Sequence, residues 1–182
     1  MSTRGAYGFI KNGEMKITYN HYDSYLSGLG FDIMKFIAET TNEELNKIFD
    51  NLIMVRENEV PTQEQIKECE KYLNLNVGNQ KIEDWYCLLR NAHGNLNELK
   101  KGLRYMIDNK EFMGDSLFCE FAYILNLDNN CLEIYKGFNK DKETKNDYTQ
   151  FRDTQDDRYV EVDFFDNISF DSIRELLKKE SE

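Results

Sequence analysis

The sequence predicts a single α+β domain. Its sheet is mostly antiparallel and is built from an N-terminal hairpin and a C-terminal hairpin plus strand, with a helical middle section and a C-terminal helix. Three observations carry this reading. Two turn signals, Lys11-Asn12-Gly13 and Asp128-Asn129-Asn130, each separate runs in which apolar residues alternate. The stretch between them carries helical spacing and cap signals. A third alternating run precedes a final amphipathic segment, an order that suits an α+β layer packing. At 182 residues the chain matches one domain, and 40% apolar residues suffice for one core.

The elements follow in order. Residues 5–10 and 14–20 read as strands joined by an Asn-Gly turn, because both turn residues tolerate positive φ. Ser27-Gly28-Leu29-Gly30 breaks the pattern, and Leu29, Ile33, Phe36 and Ile37 then mark one helix face. Leu45–Val55 is helix-like first and strand-like from Leu52. Thr62 with Gln65 forms a capping box after Pro61, opening a helix that buries Ile66, Cys69 and Leu73. Residues 81–92 read as a further helix packing Ile82, Trp85, Leu88 and Leu89, closed by His93-Gly94. His93 is read there as a cation favoured by the helix C-terminus. Asn95 with Glu98 starts another helix whose face is Leu96, Leu99, Leu103 and Met106. Residues 118–135 are the second hairpin, with Phe121, Tyr123, Leu125 and Leu127 on one face. Residues 139–158 are polar and are expected to form a long loop or flap. Residues 159–165 alternate as a strand, and Ser169 caps a helix carrying Ile173, Leu176 and Leu177.

Composition excludes several function classes. The formal net charge is −11, from 34 acidic and 23 basic residues. Such a surface repels phosphate backbones, so direct nucleic-acid binding is not expected, while one local basic cleft remains compatible. An acidic surface can also occupy a basic groove on another protein. The four cysteines, at 69, 87, 119 and 131, lie in apolar-patterned segments without a C-x-x-C pair, which reads as buried thiols in a cytoplasmic protein. With two histidines, a Cys/His metal site is not expected, and no apolar run is long enough for a membrane span. The Asp128 turn lacks the further ligands of a calcium loop, and Asp156-Asp157 reads as solvated. There is no P-loop and no dinucleotide fingerprint, so no cofactor is expected.

Chemistry concentrates in the first 25 residues. Arg4 can hold a carboxylate or phosphate through two parallel hydrogen bonds. Tyr7, Tyr19 and Tyr25 offer rings for stacking, and Asn20, Ser24 and the tyrosine hydroxyls offer hydrogen bonds. His21 can move protons near neutral pH, with Asp23 as its orienting carboxylate or as a base. Gly5, Gly8, Gly28 and Gly30 would let backbone approach a ligand. With Met1 removed, Ser2 would be an N-terminal nucleophile whose own amine is the base. The bland reading of the same residues is an Arg4–Asp23 ion pair, turn geometry at Asn20 and Asp23, and a surface His21.

The opening Ser2-Thr-Arg-Gly with Gly8-Phe9, and the stretch Tyr19-Asn-His-Tyr-Asp-Ser-Tyr25 followed by Gly28-Leu-Gly30, resemble a set of uncharacterised small proteins of phages and bacterial mobile elements. That resemblance implies a bacterial-host setting and an accessory role against host immunity. Ser2, Asn20 and Asp23 are also placed similarly to the start of N-terminal nucleophile hydrolases of the choloylglycine hydrolase type. The chain departs from that pattern at the nucleophile, which is cysteine there, and at Tyr19 and His21. The family's later catalytic residues find no match.

Three functions follow as expectations. The first is binding of a small anionic, nucleotide-like ligand, as in sequestration of an immune signal, with Arg4 on phosphate and the tyrosines stacking. The second is an acidic inhibitor of a host nucleic-acid-binding defence protein, in the manner of anti-CRISPR proteins. The third is hydrolysis of an amide through Ser2, or of a phosphodiester through His21 and Asp23. A pocket shared between subunits of a homo-oligomer is compatible with each.

Overall fold

A computed structural model describes residues 3–155 and 158–179. Strands β1 (Gly5–Lys11) and β2 (Glu14–Asn20) form the first hairpin, and α1 (Phe31–Ala38), α2 (Asn42–Asn51), β3 (Ile53–Val55) and α3 (Gln63–Cys69) follow. Short helices α4 (Trp85–Leu88) and α5 (Asn97–Lys100) lead to β4 (Tyr105–Ile107). Strands β5 (Phe121–Asn126), β6 (Cys131–Lys136) and β7 (Asp163–Ser169) and helix α6 (Phe170–Lys179) complete the fold. A five-stranded sheet has the order β2-β1-β5-β6-β7. Only the β1–β5 pairing is parallel in it, so the sheet is mixed and mostly antiparallel.

Period-two alternation sorts the sheet's side chains onto two buried faces. Tyr7, Phe9, Tyr123, Leu125, Leu132 and Ile134 face one core with α1, α2 and α6, through Ile33, Phe36, Leu45, Phe49, Phe170 and Ile173. Ala6, Ile10, Ile17, Ala122, Ile124 and Tyr135 face a second core closed by Met113, Tyr148 and Val162. A third cluster joins α3, α4 and the β3–β4 pair around Trp85, Tyr105, Ile66 and Leu88.

Local signals explain most boundaries. Asn12 and Gly13 both have positive φ, 52° and 77°, the geometry that matches strand twist in a two-residue hairpin. Thr41 with Glu44, and Thr62 with Gln65, make reciprocal capping boxes. The Ser169 hydroxyl accepts the Ser172 N–H at 3.1 Å, opening α6. Leu45–Val55 resolves into α2 and β3. The end of α2 is held from the sheet: buried Lys16 donates from Nζ to the Phe49 and Leu52 carbonyls at 2.8 and 2.7 Å and lies over the Phe49 ring. Lys16→Met should therefore lower the unfolding free energy by about 1–3 kcal/mol, because two buried acceptors lose a charged donor. Urea denaturation followed by circular dichroism checks this.

Four sequence expectations need correction. The helix expected over 81–92 is one turn of α4 and a 3-10 turn at Arg90–Ala92, because the Asp84 carboxylate caps the Cys87 N–H and Leu89 leaves helical geometry. The helix expected from Asn95 stops at Lys100, where Gly102 at φ 104° turns the chain. Met106 then lies on β4, in a parallel pair with β3 that the sequence did not suggest. The final strand is not 159–165 but β7. Val160, Glu161 and Val162 are all buried without alternation, because Glu161 is held by Arg152 from the 139–155 segment. That segment contains one 3-10 turn, Thr149–Phe151, and inserts Tyr148 into the second core. No helix of the described residues is long and apolar enough to cross a membrane.

Candidate functional site

The first hairpin and the 85–112 segment meet at the end of β2, and the site lies between them. Tyr19, the next-to-last residue of β2, packs edge-on against Phe112 with ring centroids 5.1 Å apart. Its hydroxyl and His21 Nδ1 are hydrogen-bonded at 3.0 Å, the donor being set by the imidazole tautomer. From the other side α4 and the turn after it present Tyr86, Arg90 and His93. Tyr86 and His93 meet edge-on at 5.4 Å, and the Arg90 guanidinium lies 5.9 Å from the Tyr86 centroid and 5.6 Å from that of Tyr22. Between these groups is a pocket of about 190 Å³. Its walls are the rings of Tyr19, Tyr86 and Phe112 with Ile107, and its polar lining is His93, Glu57 and Asn109. It adjoins a wider groove that shares Glu57, Asn109 and Phe112 and carries Asp108 and Glu111 beside Arg56 and Lys110.

Charged groups of both signs surround the pocket. Burial raises the pKa of the Tyr19 phenol, while the positive charges of Arg4 and Arg90 both pull against that rise. Two arginines thus act on Tyr19 in a chain of net charge −11. The groove carries Glu57, Asp108 and Glu111 beside Arg56 and Lys110, and Lys110 pairs with Asp108 at 2.6 Å.

His93 is the unusual group. It is not the cation at a helix end that the sequence suggested. Burial, with the charges of Arg90 and His21 nearby, lowers its pKa to about 4, so it is neutral at physiological pH. Both ring nitrogens and Arg90 Nε are buried without a hydrogen-bond partner among the described residues. Buried polar atoms are nearly always paired, so these three are exceptions within the fold.

The residues expected from the sequence divide into three groups. Tyr19 lines the pocket, His21 is hydrogen-bonded to Tyr19, and Arg4 acts on Tyr19 through its charge. Arg4 makes no ion pair with Asp23; its guanidinium lies over the Phe118 ring, 4.4 Å from the centroid. Tyr7, Asn20 and Ser24 are buried and serve the fold. The Tyr7 hydroxyl accepts the Gly94 N–H at 2.9 Å, and burial raises its pKa to about 12. Asn20 Nδ2 donates to the Tyr22 carbonyl and to Ser24 Oγ, and the Ser24 carbonyl accepts the Tyr123 hydroxyl at 2.8 Å. Asp23 and Tyr25 are exposed and outside the pocket lining; Asp23 has φ 55° and its carbonyl accepts the Leu29 N–H. Ser2 and the Asp156-Asp157 pair lie outside the described residues. The glycines expected to admit a ligand admit protein instead: a Cβ on Gly5 would strike the Phe121 carbonyl, on Gly8 the Lys16 carbonyl, on Gly28 the Asp23 carbonyl and on Gly30 the Tyr123 ring.

Tyr86, Arg90, His93, Phe112 and Glu57 were missed in the sequence. A signal for three of them existed. Tyr86, Arg90 and His93 are spaced i, i+4, i+7, a polar stripe along the helix expected there. No protein-family model, curated protein sequence or solved structure matches this chain.

Proposed function

We propose that the protein binds a small, flat, anionic ligand of the nucleotide kind in the Tyr19–Tyr86–Phe112 pocket, and holds it rather than transforms it. The observation that carries this is a pocket walled by three aromatic rings, one of which, Tyr19, feels the positive charges of Arg4 and Arg90 on an otherwise acidic chain. Stacking on rings and bidentate guanidinium contacts are the two interactions that such ligands use most. The pocket volume suits one ring system, since an engineered apolar cavity of about 150 Å³ accepts benzene. The anionic remainder would then lie at the rim, on the arginines.

Retention is favoured over hydrolysis because His21 is hydrogen-bonded to Tyr19 and not to Asp23, so the two do not form an acid–base dyad. In the phage and mobile-element setting that the N-terminal motifs suggest, the role would be sequestration of a nucleotide immune signal.

The test is thermal denaturation with cyclic mononucleotides, cyclic dinucleotides, AMP, IMP and ADP-ribose derivatives, followed by heat release and chromatography of the bound compound. A ligand at about a hundredfold its Kd should add about 2.7 kcal/mol. The compound should be recovered intact. Arg90→Ala and Tyr86→Ala should each weaken binding at least about tenfold by losing a charged or stacking contact. Failure of every compound to bind, or undiminished binding by both variants, would sink the proposal.

A further inference from the structure

The five-stranded sheet ends differently at its two edges. Beyond β2 the chain itself supplies partners: the Asn109 N–H donates to the Ile17 carbonyl at 2.9 Å, and Asn109 Oδ1 accepts the Tyr19 N–H at 3.1 Å. Beyond β7 no strand follows among the described residues. Every position of Asp163–Ser169 is exposed except half-buried Ile168. The Phe170 N–H donates to the Asn130 carbonyl at 2.9 Å, and that phase of the antiparallel ladder turns the backbone groups of Asn167 and Ser169 away from β6. The Asn167 N–H is held by the neighbouring Asp166 Oδ1 at 2.8 Å.

Directly paired residues of neighbouring strands point to one face. Asp163 and Asp166 are paired with Lys136 and Ile134, on the side of the first core, and Phe164 is paired with Tyr135, on the side of the second. Phe164 is 47% exposed and meets Tyr135 edge-on at 5.7 Å. Phe165, skipped by the register, is 49% exposed and has Lys136 Nζ over its ring. Proteins blunt such edges with charge, proline and bulges. β7 has neither lysine nor proline; it has the bulge at Phe165 and the two carboxylates. Like charges repel, so on a chain of net charge −11 these carboxylates keep a second copy off the edge. They do not keep off a strand of opposite charge. We propose that β7 takes an extended basic segment of another protein as a sixth strand, lysine or arginine alternating with β-branched residues. The basic side chains meet Asp163 and Asp166 on one face, and the apolar ones cover Phe164 on the other. The added backbone pairs with Asn167 and Ser169 and releases Asp166 from the Asn167 N–H. This docking edge shares no residue with the Tyr19–Tyr86–Phe112 pocket and needs no ligand there.

Fluorescence anisotropy with the labelled peptide Lys-Val-Lys-Val-Lys-Val-Lys tests this. Its fully N-methylated counterpart keeps charge and side chains but has no backbone donor. The parent protein should bind the unmodified peptide at least about tenfold more tightly, as loss of the ladder hydrogen bonds dictates. Asn167→Pro should fold, because that N–H faces away from β6, and should weaken the peptide by about the same factor. Asp163→Asn with Asp166→Asn should weaken it about tenfold and flatten its salt dependence. Should Asn167→Pro fail to fold, the methylated peptide and the double asparagine variant decide. Equal binding of the two peptides would show attraction by net charge alone and overturns the proposal. It is overturned as well by no binding, by undiminished binding in the double variant, or by sedimentation of the parent as a dimer that Asn167→Pro makes monomeric, since the edge would then belong to a second copy.

Discussion

Trp85→Ala is expected to lower the unfolding free energy by about 3–5 kcal/mol, the range for truncating a large buried aromatic side chain. For a chain of this size that is a fall in Tm on the order of 10 °C. Trp85 is 1% exposed and packs against Tyr105 at 5.4 Å, at the centre of the third cluster. The effect should reach the site as well. Helix α4 is a single turn, too short to persist without tertiary packing. Trp85 is what fastens it to β4, and Tyr86, Arg90 and His93 follow directly. Affinity for the ligand should therefore drop in Trp85→Ala at temperatures where the variant is still folded. Urea denaturation followed by circular dichroism reads the first effect and calorimetry the second. A stable variant with unchanged affinity would show that the 85–93 segment is positioned by other contacts.

Arg152→Met is expected to cost a similar amount, about 3–5 kcal/mol, because it strands a buried charge. Glu161 is fully buried, and Arg152 meets its two carboxylate oxygens at 2.6 and 2.9 Å. Burial alone would raise the Glu161 pKa, but hydrogen bonds from Arg152 and Thr149 outweigh it and hold the pKa below the usual 4.5. The folded state thus binds the proton less tightly than the unfolded chain. The stability from this pair is fully present above about pH 4.5, the unfolded value, and is lost as pH falls through the lower folded value. Without Arg152 the carboxylate is buried without its cation, and its folded pKa rises above the unfolded one. The penalty in Arg152→Met should then shrink as pH falls through that raised value, because the protonated acid tolerates burial. The difference in unfolding free energy between parent and variant, measured from pH 7 to pH 4, should narrow. A difference independent of pH would show that the loss comes from the Arg152 contacts with the Lys142 and Thr144 carbonyls.

Elements whose signals are local were legible in the chain. Asn12-Gly13 fixed the first hairpin through positive φ, Thr62 with Gln65 fixed the start of α3, and the alternation at Phe121, Tyr123 and Leu125 fixed β5 and its register with the core. Helix α1 followed from the spacing of Ile33, Phe36 and Ile37. The segments from 81 to 107 were less legible because short turns there depend on partners distant in sequence. Periodicity at Leu99, Leu103 and Met106 resembles a helix, yet pairing of β3 with β4 decides the outcome.

The site divides along the same line. That chemistry gathers at the end of β2, at Tyr19 and His21, is a consequence of residue order. Which neighbours share it is not. Asn20 and Ser24 have the residue types of a binding site, but burial turns their hydrogen bonds inward to lock a turn. His93 has the residue type of a surface cation beside Gly94, but packing against Tyr86 near Arg90 buries it and leaves it neutral, with no hydrogen-bond partner among the described residues. Residue identity sets what a group can donate, accept or ionise. Burial and neighbouring charge, which exist only once the chain has folded, decide which of those capacities is used.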